Sequence, residues 1–228
     1  MKVRTSMINN FPLIGFKVSR RHEPETTKQW LAKKRDYLSK IWTKKGPAIL
    51  RSIQRQCGLS FPAKAKEGMI VYLHKRRKDD CLGDMEETKP LECNIYLRKS
   101  DTWGDIKPTL IHELIHCLMW QKFYFDLRMG TPTLFADVFA DELMVSVVSS
   151  LVMGRKPGRG TCSDAIDYAL EEAVDRLSQT DSRDILVGAL MEFFKEYQTK
   201  MKRKESNILK EREKVLSKLP SLLPETID

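Results

Sequence analysis

The chain has 228 residues with a net charge of +9, and it is 41% hydrophobic and 31% charged. That is long enough to bury a real core, too apolar for a disordered tail and too charged for an integral membrane protein. Five cysteines, at 57, 81, 93, 117 and 162, are odd in number and include no C-x-x-C pair. This excludes a disulfide framework and a cysteine zinc knuckle, and it fits a reducing, intracellular (cytoplasmic) setting. No apolar run reaches the roughly 18–20 residues of a membrane span, and the N-terminus lacks the layout of a signal peptide. The charge is uneven, because residues 1–60 carry 14 basic and 3 acidic side chains. A basic first quarter makes nucleic acid a candidate partner, although no recognised nucleic-acid motif accompanies it.

In chain order, residues 11–21 read as a short strand or extended arm. Trp30, Leu31, Leu38, Ile41 and Trp42 recur at helical spacing, predicting a helix over 24–44 that Gly46-Pro47 ends. A second short helix runs to Cys57. Residues 69–76 and 91–99 read as strands, separated by a polar loop over 77–90. A helix covers about 105–125, with Pro108 tolerable in its first turn only. Thr131-Pro132 starts another helix, which GRKPGRG (154–160) ends, and helices follow at about 163–178 and from 182 into the 210s. The expected fold is α+β: mainly helical, with a small antiparallel sheet beside the helix of residues 105–125. Three regions are expected: 1–60, a basic arm and helices; 61–155, a core; and 156–228, C-terminal helices with a charged end.

The chemistry lies in His112-Glu113-Leu114-Ile115-His116, an H-E-x-x-H string. On a helix, positions i and i+4 share a face, so both imidazoles can reach one ion. Glu113 is placed to take a proton from water and return it to a leaving group. With 4 His and 16 Glu in the chain, about 0.005 chance matches are expected. Two imidazoles and a carboxylate make an open site suited to Zn2+.

TLIHELIHCLMW resembles the active-site helix of zincin-type metallopeptidases, the class that includes thermolysin and the small SprT-like and ImmA-like enzymes. The resemblance spans roughly residues 91–150. It implies a minimal zincin-like core and a zinc metallopeptidase acting on a protein or peptide substrate. It also implies an edge strand ahead of the helix, a place that residues 91–99 would fill. His116 is the last histidine, so a third ligand must come from another residue type. His22 and His74 lie upstream of the motif, an unusual order for a ligand.

The string FADVFADELMVSVV offers Asp137, Asp141 and Glu142. On a helical wheel Asp137 and Asp141 fall within about 40° of each other inside the apolar stripe, and Glu142 lies about 140° away, near Ser146 and Ser149. The D-x-x-x-D spacing resembles the thermolysin-like E-x-x-x-D, which implies Asp137 as third ligand and Asp141 as the partner that orients a histidine. Glu142 is the alternative ligand. His74 and Tyr124 are candidates for stabilising an oxyanion. A rival reading is a nucleic-acid-associated or assembly protein whose zinc site is structural or vestigial. Its basic face would include Lys33, Lys34, Arg35, Lys40, Lys44 and Lys45 on one helix.

Overall fold

The structure is a computed structural model. It describes residues 12–19, 23–78, 81–85, 89, 91–122, 135–155, 180–203 and 206–218. Its strands are β1 (Ile14–Val18), β2 (Met69–Lys75), β3 (Gly83–Asp84) and β4 (Glu92–Leu97). Its α-helices are α1 (Glu25–Cys57), α2 (Trp103–Gln121), α3 (Phe135–Met153), α4 (Thr180–Met201) and α5 (Ile208–Lys218), with a 3-10 turn at Ala63–Glu67. The fold is α+β and mainly helical.

The sheet is mixed rather than antiparallel. Its order is β1-β2-β4-β3, with β1, β2 and β4 parallel and β3 antiparallel to β4. Parallel neighbours need a crossover, and α1 supplies one between β1 and β2. Side chains alternate across the sheet: Val71, Leu73, Cys93, Ile95 and Leu97 are buried on the face toward α1 and α2. Tyr72, His74, Asn94 and Tyr96 point to the opposite face. Residues 91–99, expected to form an edge, lie inside the sheet, because β3 covers β4 at Asn94 and Ile95. A strand of two residues shows no alternation, so the sequence reads as loop there.

Gly46-Pro47 does not end α1, which runs unbroken for 33 residues. Proline removes the hydrogen bond to the carbonyl of Thr43, an exposed residue, so water can serve that oxygen. Burial of Leu31, Leu38, Trp42, Leu50 and Ile53 along one face outweighs the loss. Gly46 also fits under Trp42: a Cβ there would lie 2.5 Å from the indole. Pro108 sits in the second turn of α2 rather than the first, and the carbonyl it leaves without a partner belongs to exposed Gly104. Thr102 and Asp105 form a capping box at the start of α2, with Thr102 N–H donating to Asp105 Oδ2 at 2.8 Å.

The expected helix from 182 into the 210s is two helices. Asn207 caps α5, its Oδ1 accepting from Leu209 N–H at 2.9 Å. The turn before it packs on the end of α1. Gly58 there has φ 64°, and a Cβ would lie 2.0 Å from the Ser206 carbonyl oxygen. The expected helix at 163–178 and the start at Thr131-Pro132 lie outside the described residues.

One hydrophobic cluster joins the five helices and strands β1, β2 and β4, from Phe16 of β1 to Val215 of α5. Helix α3 is at its centre, packed by α1, α2, α4 and α5. An ion pair locks α5 to α3: the Arg212 Nε–H donates to Asp141 Oδ1, and both side chains are about 95% buried. Burial pushes the Asp141 carboxyl up, and the guanidinium offsets this only in part. Desolvation thus consumes most of the attraction, and the pair fixes register more than it stabilises. Arg212→Ala should destabilise the fold by about 3–5 kcal/mol in chemical denaturation, whereas the double replacement Arg212→Met with Asp141→Leu should restore most of that. An additive loss in the double variant would contradict this account of the pair.

Candidate metal centre

The H-E-x-x-H string lies in the buried second half of α2, where Ile111, Leu114, Ile115, Cys117 and Leu118 are fully buried. One helical turn apart, the two imidazoles meet at their tips, His112 Nε2 to His116 Nε2 at 3.1 Å. Helix α3 crosses this face and brings Glu142 between them. Glu142 Oε2 is 3.2 Å from His112 Nε2, and Oε1 is 3.1 Å from His116 Nε2. Among the described residues, His112, His116 and Glu142 are the group that could hold a metal ion.

The donor set fits a metal. Ligand atoms about 2.0–2.1 Å from a tetrahedral ion stand about 3.3 Å from one another, close to the 3.1–3.2 Å seen here. Glu142 Oε2 is buried and makes no hydrogen bond of good geometry. A cation between the three side chains would satisfy it and would replace the shared protons that otherwise keep two imidazole tips together.

The electrostatics of the metal-free chain show how strongly the three groups are coupled. Burial opposes the His116 imidazolium, but the charge and hydrogen bond of Glu142 outweigh it and lift the pKa to about 10. Burial likewise opposes ionisation of Glu142, and His116 with His112 overcomes it and holds the carboxyl well below its ordinary range. Glu113 is different. Burial dominates there, and the carboxyl is pushed up to about 7, with the charges of the two histidines only moderating the rise.

Glu113 lies under strand β3. A Cβ on Gly83 would stand 2.8 Å from Glu113 Oε1 and 2.8 Å from Thr109 Cγ2, so a residue without a side chain is what lets the strand approach. The next residue anchors the strand from the other face of the sheet. Asp84 accepts from Asn94 Nδ2 at 2.5 Å and from the Tyr96 hydroxyl at 2.7 Å, and His74 Nε2 is 2.8 Å from Asn94 Oδ1 and stacks on Tyr96. The sequence reading overlooked Gly83 and Asp84, which carry no motif.

His112, Glu113, His116 and Glu142 therefore come together. Asp141, expected to orient a ligand histidine, is engaged by Arg212 instead, and His74 belongs to the network on the far face of the sheet. The Asp137 side chain, His22 and Tyr124 lie outside the described residues. Glu142 faces the histidines although it lies on the polar side of α3, where Ser146 and Ser149 are buried as well. Among the described residues, Cys57, Cys81, Cys93 and Cys117 form no disulfide. No helix among the described residues is long and apolar enough to cross a membrane.

No protein-family model, no curated protein and no solved structure matches this chain.

Metal affinity should depend on pH in a definite direction. In the metal-free protein, the His116–Glu142 contact stabilises the fold fully between about pH 4.5 and 6.5, weakens in acid as Glu142 takes a proton, and is lost as pH rises through about 10. A metal must displace that proton, so affinity for zinc should rise by about tenfold per pH unit between pH 7 and 9. Competition titrations with a chelator across this range would show the slope, and a flat profile would contradict the assignment of His116.

Proposed function

We propose that the chain is a zinc-dependent peptidase, with His112, His116 and Glu142 as metal ligands and Glu113 as the group that moves protons. The observation that carries this reading is the convergence of two imidazole nitrogens and a carboxylate within 3.1–3.2 Å, with a second, buried carboxyl beside His112 on the same helix. A purely structural site would have no use for Glu113, whose burial is unfavourable. Glu142 takes the ligand role that the D-x-x-x-D resemblance had assigned to Asp137.

Zinc, when bound, supplies Lewis acidity that polarises a carbonyl and makes a coordinated water acidic. The chain does the rest. His112 and His116, held one turn apart by α2, fix the position of the reacting centre. Glu113, whose carboxyl burial raises in the metal-free chain, can accept a proton from water at a carboxylate oxygen and then donate it to the departing amine nitrogen. Strand β3 keeps that carboxyl from rotating away, because Gly83 rests directly on it.

Purified protein should carry about one zinc per chain by elemental analysis. His112→Ala, His116→Ala and Glu142→Ala should each lose it, and Asp137→Ala should keep it. Retention of metal by Glu142→Ala with loss in Asp137→Ala would reverse the choice of ligand. Glu113→Gln should keep the metal and abolish cleavage of a casein or peptide substrate. Gly83→Ala should also keep the metal and lower the rate by about 100-fold, since a displacement on the order of 1 Å at a reacting group costs that much. Unchanged cleavage in both variants would sink the peptidase reading while leaving the metal site standing.

A further inference from the structure

Helix α1 carries a second feature that the metal centre does not use. Its buried face is Leu31, Leu38, Trp42, Leu50, Ile53 and Cys57. Directly opposite, at alternating steps of seven and four residues, stand Lys33, Lys40, Lys44, Arg51 and Arg55, all exposed. At 100° per residue these five fall within about 60° of arc, and they run along roughly 33 Å of helix. The acidic residues of α1 are Glu25, before the stripe begins, and Asp36, which Arg35 holds at 2.8 Å. Lys34 is set apart from the stripe because its ammonium is bound to the carbonyls of Lys99 and Asp101 at the start of α2.

A solvated helix face ordinarily mixes both signs of charge, and this one does not. Its composition also argues about the partner. Protein interfaces centre on apolar or aromatic anchors and are depleted in lysine. This stripe is mostly lysine, and Tyr37, 42% exposed, is its one large ring. Trp42 is buried in the core and Trp30 is partly buried, so the face offers no series of rings on which successive bases could stack. What remains is a single-signed row matched in length to about one turn of a double helix.

We propose that this face of α1 binds the phosphate backbone of duplex nucleic acid, without reading its sequence. Five cations on the backbone would release about as many counterions. The slope of log affinity against log salt should then be about −4.5, or about 500-fold weaker binding at 200 mM than at 50 mM salt.

The test is fluorescence anisotropy of the full chain with labelled 20-base-pair DNA of two unrelated sequences, across a salt series. The intact chain should bind both duplexes alike, with that slope. The triple variant Lys33→Glu, Lys40→Glu, Lys44→Glu should lose binding while keeping its thermal melt. Should it fail to fold, the milder Lys33→Gln, Lys40→Gln, Lys44→Gln should reduce the slope by about 3. No binding by the intact chain at low salt would overturn the proposal, and so would an unchanged slope in the glutamine variant. Tighter binding to a single strand, to anionic lipid vesicles or to polyglutamate would overturn it in favour of a different partner. None of these outcomes depends on the metal centre, whose zinc content should be the same in every variant.

Discussion

Two imidazoles and a carboxylate point at one another at the margin of an apolar core, and the packing of α2 against α3 holds that contact. Such a group cannot stay there as separate charges. Either the metal-free chain keeps protons between the side chains, as the high His116 and low Glu142 values express, or a cation replaces them. The geometry requires α2 and α3 to lie side by side, and the rest of the fold serves this requirement. The sheet and α1 support one side of the pair, and α4 and α5 close around α3. The Arg212–Asp141 pair then fixes the register of α3 one residue away from Glu142, at the expense of two buried charges.

Glu113 shows how neighbouring positions on one helix acquire different chemistry. His116 and Glu113 are both buried, yet the first is held charged by a carboxylate and the second is dominated by desolvation that the histidines offset only in part. The two groups are therefore pushed toward opposite protonation habits by what packs against them, which is the arrangement a proton-transfer site needs. Gly83 supplies the missing wall. Its lack of a side chain brings backbone against the Glu113 carboxyl, and the Asp84 contacts to Asn94 and Tyr96 keep that backbone in place.

Much of this was legible in the sequence, and the failures have physical causes. H-E-x-x-H is a local signal, since helical geometry alone puts residues 112 and 116 on one face. The choice among Asp137, Asp141 and Glu142 was not local. The helical wheel marked the apolar stripe as inward, a rule that holds for helices with one wet face, whereas residues 143–150 of α3 are buried all round. Its polar side carries the carboxylate that meets the two histidines. Asp141 could not be assigned from sequence because its partner, Arg212, is 71 residues away. In α1 the Gly46-Pro47 break was overruled by burial on both sides of it, and β3 was too short to show any alternation.

The most direct test of the metal centre is a crystal structure of zinc-soaked protein, with anomalous data on both sides of the zinc edge. One peak should appear between α2 and α3, about 2.0–2.1 Å from His112 Nε2, His116 Nε2 and a Glu142 oxygen, with a fourth position open to solvent. A zinc peak elsewhere, or density bridging the two histidines without Glu142, would contradict the account.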